Sequence, residues 1–161
     1  RRERALLAAS LDWHFVFAAH LNGDPELLRE VVTAWRQHSV REVIVAVQAI
    51  VAPTQAEADA LAQKVEVWGV ELANGQRVTV ASEEQAYAFA RQAGSKPVRI
   101  ARRAQCLLAG TAASVLEQLN ALHQQWGIEE FIIDTPVADG ATRVQSLRLL
   151  AEARLNREVT V

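Results

Sequence analysis

The run Val43-Ile44-Val45-Ala46-Val47-Gln48-Ala49-Ile50-Val51, followed at once by Ala52-Pro53-Thr54-Gln55-Ala56-Glu57, decides how the sequence is read. It is apolar at odd and even positions alike, Gln48 excepted, which fits a strand covered on both faces inside a parallel sheet. Thr54 and Glu57 stand at capping-box spacing and open a helix, with Leu61, Val65 and Trp68 predicted along its buried stripe. Strand and helix together make one βα unit, and the same order recurs on either side.

Upstream, a helix over Arg2 to Leu11 precedes a strand from Trp13 to Ala18. Asp24-Pro25 then supplies an N-cap and a proline at the first helical position, and Leu27, Leu28, Val31, Val32 and Trp35 fall on one helical face. Downstream, the pattern loosens between Trp68 and Arg103. Residues 69–103 read as an insertion between two βα units rather than a separate domain, too short for a core of its own. Within it, Asn74-Gly75 between Val70, Leu72, Val78 and Val80 predicts a two-residue hairpin turn. Ser82 with Gln85 starts a short helix through Ala90, and Gly94 and Pro97 stop it.

Regular alternation resumes with a strand from Gln105 to Ala109. Gly110-Thr111 leads into a helix with Val115, Leu116, Leu119, Leu122 and Trp126 on one face, and Gly127 ends it. A strand from Phe131 to Asp134 and a final helix, capped by Asp139 with Val144, Leu147, Leu150 and Ala151 inward, complete the chain. The expected fold is α/β, of parallel βα units in a single domain over residues 1–161.

Composition agrees. The 161 residues are 50% hydrophobic and carry 17 basic and 19 acidic side chains, a net charge of −2. This suits one folded domain and excludes a disordered tail. All the basic residues except Lys64 and Lys96 are Arg, so no Lys-rich tract exists, and the near-neutral balance argues against a nucleic-acid or anionic-membrane surface. No apolar run reaches the roughly 18 residues of a membrane span, and no signal-peptide layout opens the chain, so the cytoplasm is the expected compartment. The one cysteine, Cys106, has no partner for an internal disulfide and reads as a buried thiol in a reducing compartment. Methionine is absent and position 1 is Arg, which reads as a fragment, a processed product, or a sequence from which selenomethionine has been left out.

Motifs narrow the chemistry mostly by exclusion. His14, His20, His38 and His123 show no HxH, HxxxH or HExxH spacing, so no metal site is expected, and a serine nucleophile elbow, a P-loop and a GxGxxG loop are missing. In parallel α/β folds ligands bind where the carboxyl ends of strands meet the βα loops. That rule singles out His20, Asp134 and Asp139. His20 either offers its imidazole for hydrogen bonding or proton transfer, or packs at a strand end. Gln48, the one polar side chain within its strand, either hydrogen-bonds a planar heterocycle from a barrel lumen or is a satisfied buried amide. Asp134 ends a strand and is a candidate ligand contact, Asp139 reads as a helix cap, and Arg143 pairs with a carboxylate or ligand or is solvated. Trp35, Trp68 and Trp126 read as packing residues, and Trp13 as an interface candidate.

Several of these stretches resemble the C-terminal half of the bacterial luciferase-like flavin monooxygenases. Phe15-Val16-Phe17-Ala18-Ala19-His20 is similar to that family's Phe-Ala-x-His strand end. Ala49 to Ala58 resembles its strand followed by Ala-x-Thr-x-x-Glu-Ala. The longest likeness runs from Leu108-Ala109-Gly110-Thr111 through Val115, Gln118-Leu119, Gly127-Ile128-Glu129-Glu130 and Asp139 to Arg143, Ser146 and Leu149-Leu150-Ala151-Glu152-Ala153. The resemblance implies about half of a TIM-type (β/α)8 barrel carrying an insertion, reduced FMN as cosubstrate, and oxygen activation at the flavin beside a small organic substrate. In that setting His20 is the candidate catalytic residue, Gln48 the candidate flavin contact and Asp134 the candidate substrate contact.

The family's Gly-Ser-Ser phosphate loop would fall just before the first helix, whose usual Ser-Ala opening is Arg4-Ala5 here. The sulfonate-oxidising branch has an Arg and a His where this chain has Ala46 and Gln48. Implied partners are a flavin reductase and either the other half of the barrel or a second copy. The alternatives are an inactive binding or dimerisation module, a fragment without activity, or an unrelated α/β domain for a small phosphorylated ligand.

Overall fold

A computed structural model describes residues 2–19, 25–103 and 106–158, with side chains as far as residue 156. Helix α1 (Arg2–Ser10) leads to strand β1 (Val16–Ala18), and α2 (Pro25–His38) to β2 (Ile44–Val51) and α3 (Gln55–Ala62). β3 (Trp68–Leu72), β4 (Arg77–Val80), α4 (Glu83–Gln92) and β5 (Pro97–Arg102) follow, then β6 (Leu107–Gly110), α5 (Ala112–Trp126), β7 (Glu130–Asp134) and α6 (Gly140–Glu158). The chain divides into two compact units, one made of the chain up to Ala62 and from Cys106 onward, the other of Gln63–Gln105.

The first unit is a parallel sheet with helices, as the βα alternation predicts. β1, β6 and β7 all pair with β2 in parallel. Consecutive strands of a closed barrel neighbour one another. Here β7 bonds to β2, and no β6–β7 pairing occurs among the described residues.

Register sorts the side chains by face. Val45 and Val47 align with Phe17 of β1 and with Phe131 and Ile133 of β7, whereas Ala46 and Gln48 align with Ala18, Ile132 and Asp134. The first set belongs to a core with Val31, Val32, Trp35, Val115, Leu119 and Ile128. Leu28, Val31, Val32 and Trp35 recur at helical spacing, so α2 buries one stripe. Trp35 is fully buried because its polar edge is satisfied: Nε1 donates to the Arg41 carbonyl at 2.7 Å, and the ring stacks on Phe15 at 5.2 Å between centroids. The Asp24 cap predicted for this helix lies outside the described residues.

The other helix ends follow local chemistry. Thr54 and Glu57 form the reciprocal capping box, with Glu57 N donating to Thr54 Oγ1 and Thr54 N to Glu57 Oε2. Thr111 caps α5 by accepting from Ser114 N, and Gly127 closes it in the left-handed region at φ 62°, its N–H donating to the His123 carbonyl.

Helix α6 departs from the expected inward face. Val144 and Leu147 are exposed, while Leu150 and Ser146 are buried. The reason is a hydrogen bond across 95 residues: Val51 N at the end of β2 donates to Ser146 Oγ at 2.8 Å. A buried backbone N–H needs an acceptor, and the helix turns its hydroxyl rather than its leucine stripe to meet that need.

The second unit corrects the idea that the insertion is too short for a core. β3 pairs antiparallel with β4 and β5, and Val70, Leu72, Ala86 and Ala90 pack together with Trp68, Val78, Val80, Phe89 and Ile100 around them. Trp68 therefore opens β3 and does not extend α3, which ends at Ala62. The hairpin is real but its loop is longer than two residues. Leu72 N donates to the Gln76 carbonyl, Gly75 N to the Leu72 carbonyl, and Gly75 adopts φ 85°, a turn closed by a left-handed glycine. β5 went unread because Arg99 and Arg102 interrupt its apolar residues. Ser82 caps α4 through Gln85 N as predicted.

Ser146→Ala should cost about 1–3 kcal/mol, the desolvation of a buried N–H left without an acceptor. Val144→Ser, on an exposed turn of the same helix, should stay within about 0.5 kcal/mol. Urea denaturation midpoints at unchanged slope compare the two.

Candidate functional site

The face of the parallel sheet opposite the core carries Val16 and Ala18 of β1, Ile44, Ala46, Gln48 and Ile50 of β2, Leu107 and Ala109 of β6, and Ile132 and Asp134 of β7, in the paired registers. Val16 and Ile132 are 43% and 45% exposed, whereas Phe17 and Val47 on the core face are 6% and 4% exposed. The polar members are Glu130, at the amino end of β7, and Gln48 with Asp134 near the carboxyl ends.

The structure brings Gln48 and Asp134 together. They are register partners on β2 and β7, and Gln48 Nε2 donates to Asp134 Oδ2 at 2.8 Å. The sequence reading named both residues without linking them, because 86 residues of chain separate them. Gln48 is half-buried and Asp134 exposed, so the satisfied fully buried amide is not what forms. His20, the third candidate, lies outside the described residues. Thr135, which the sequence reading passed over, is 5% exposed, and its Oγ1 has no hydrogen-bond partner among the described residues. The only signal for it was its place directly after Asp134.

The remaining candidates take structural roles. Asp139 accepts from Thr142 N at 2.7 Å and Thr142 Oγ1 at 2.6 Å, as a cap should. Those two bonds, helped by the charge of Arg143, hold its carboxyl below the usual 3.8. His38 Nδ1 meets the Ala34 carbonyl and His123 Nδ1 the Ile128 carbonyl, both at 2.9 Å. No group of three potential metal ligands occurs among the described residues. Cys106 is exposed, against the buried thiol expected, because it stands just before β6 and not within it.

Two hollows lie elsewhere on this unit. An apolar cavity of about 140 Å³ lies on the core side among Phe17, Leu28, Val47, Leu108, Leu122 and Trp126. A wider groove runs past Leu119, His123, Phe131, Ile133 and Arg154. The first is apolar and the second gathers Glu42, Asn120, His123, Glu129, Glu130 and Arg154 around the amino end of β7, whereas the Gln48–Asp134 pair stands where parallel α/β sheets bind ligands. The face around the pair is apolar apart from Glu130. For a phosphate it is less suited, since the anionic Asp139 already occupies the start of α6.

Fold and site thus define an α/β protein with a ligand-type face at the carboxyl ends of parallel strands. No protein-family model matches the chain. It is 34% identical over 157 residues to the N-acetyl-S-alkylcysteine monooxygenase of Bacillus subtilis (strain 168), a match that takes in 95% of the chain and 47% of that protein. The crystal structure of apo-MsnO8 matches 95% of the chain and 48% of its own length, with a TM-score of 0.63 and 20% identity, a likeness of fold alone. The resemblance to the luciferase-like monooxygenases is thereby shown, for a chain that spans about half the length of these relatives. No helix among the described residues is long and apolar enough to cross a membrane.

The Asp139 cap has a pH signature. Its folded pKa lies below its unfolded one, so its stabilisation is complete above about pH 4 and is lost as pH falls through the folded value. Asp139→Asn keeps a capping oxygen but cannot titrate, and should flatten the fall in thermal midpoint below about pH 4.

Proposed function

We propose that the chain is the C-terminal half of an FMN-dependent, luciferase-like monooxygenase. Residues 1–161 would contribute half of one (β/α)8 barrel domain, with residues 69–103 inserted in it. The observation that carries this reading is the 34% identity with a monooxygenase over nearly the whole chain. The substrate class that follows from this relative is a small organic thioether, oxidised with O2 and reduced flavin supplied by a reductase in the cytoplasm.

Bound reduced flavin would supply the electrons that activate oxygen. The chain's own part is to bind, orient and exclude water. In this reading the apolar face of β1, β2, β6 and β7 forms a wall of the pocket, Gln48 and Asp134 contact flavin or substrate, and His20 handles a proton or hydrogen bond at the first strand's end. Sequestering a site from water strengthens every polar contact within it.

A second reading keeps its place because the chain covers only about half of its relatives and leaves Val16 and Ile132 exposed. The chain alone would then be an inactive binding or dimerisation module, its apolar face covered by a second copy.

Titration with reduced FMN under anaerobic conditions, followed by oxygen uptake with an S-alkyl cysteine derivative, separates the two. Saturable flavin binding, substrate-dependent oxygen uptake, and a loss of about 100-fold or more in turnover for His20→Ala would support the monooxygenase. Oxygen uptake no faster than that of free reduced flavin, with no flavin binding, would overturn it in favour of the module.

A further inference from the structure

The Gln48–Asp134 pair fixes more than two residue positions. A carboxylate only accepts hydrogen bonds, so the amide that faces it must present its nitrogen, and the orientation of Gln48 follows from chemistry. Gln48 Oε1 is thereby turned away from Asp134. Among the described residues neither Gln48 Oε1 nor Asp134 Oδ1 meets a hydrogen-bond donor, and no Arg or Lys forms an ion pair with Asp134. Ala46 and Ile132 precede the pair on the same face, and Leu107 stands beside Gln48 in register. The result is an apolar surface with two acceptor oxygens, the charge of a carboxylate, and one remaining N–H on the Gln48 amide.

We propose that this pair is a specificity-determining clamp for a substrate N–H, carried by an amide or an ammonium group, and that it disfavours ligands with a negative charge at that point. This rests on the monooxygenase reading for the identity of the site and goes beyond it in naming the group recognised. Asp134 has two roles in the clamp. It accepts from the substrate, and it holds Gln48 so that the carbonyl faces outward. A partly desolvated polar site discriminates strongly against a ligand that leaves its groups unpaired.

The test is equilibrium binding by calorimetry on the purified protein, with and without FMN. Three probes are used: N-acetyl-S-methylcysteine methyl ester, its N-methyl analogue without the N–H, and S-methylcysteine methyl ester as the ammonium form. At least one N–H probe should bind about tenfold or more tightly than the N-methyl analogue, the factor expected of one hydrogen bond worth about 1.4 kcal/mol. Preference for the acetylated probe assigns the donor as an amide, and preference for the free amine as an ammonium.

Asp134→Asn, whose amide can itself donate and so lets Gln48 turn over, should bring the ratio to near one with an unchanged thermal midpoint. Gln48→Met should weaken the N–H probes alone. Equal binding of all three probes to the unaltered protein would overturn the clamp, as would no binding of any probe by a protein that still binds reduced FMN and takes up oxygen. Discrimination among the probes without flavin binding would instead uphold the clamp and overturn the monooxygenase reading.

Discussion

The parallel sheet is organised by β2, to which β1, β6 and β7 all hydrogen-bond. Val45, Val47, Ala49 and Val51 bury one face of it completely or nearly so. α5 and α6 pack together, and α6 reaches β2, where Ser146 accepts the N–H of Val51. The helices are thus placed by the needs of a single strand: apolar cover for its odd-numbered residues and an acceptor for its last amide. Remove either and the neighbouring strands lose the template they pair with.

That dependence explains what could be read from the sequence. Val43 to Val51 announces itself as a buried parallel strand, and Thr54 with Glu57, Gly110-Thr111, Asp139 and Gly127 announce helix ends, because caps and apolar runs are local signals. The inward face of α6 was misjudged because Ser146 is selected by a backbone amide 95 residues away, and no periodicity reports such a partner. Trp68 was given to a helix because its spacing from Leu61 and Val65 suits one, yet three antiparallel strands claim it through long-range pairing. At the candidate site the residue types and their strand-end positions were legible. The hydrogen bond between Gln48 and Asp134 was not, since it depends on β7 being set beside β2.

Gln48 shows how a strand covered on both faces in sequence terms can be unequal in fact. Its core face is buried, while the opposite face sets small Ala18, Ala46 and Ala109 beside Val16, Ile44 and Ile132, which stay partly open to solvent. Apolar surface of this kind is costly to leave in water and favours association with a ligand, another stretch of chain or a second copy. A polar pair set into it supplies direction where the hydrophobic effect supplies none.

The long separation between β2 and its partners bears on the order of events as the chain is made. β3, β4, α4 and β5 pair with neighbours close in sequence and can close as soon as they leave the ribosome. β2 emerges before them and finds its β7 partner only after some 86 further residues. Closing such a loop is slow compared with forming a hairpin. For that interval an eight-residue strand of almost unbroken apolar sequence has no β7 edge to lie against and no Ser146 to cap it. The feature that organises the finished sheet is therefore also an aggregation hazard in the nascent chain, and the locally closing unit that follows it lengthens the wait.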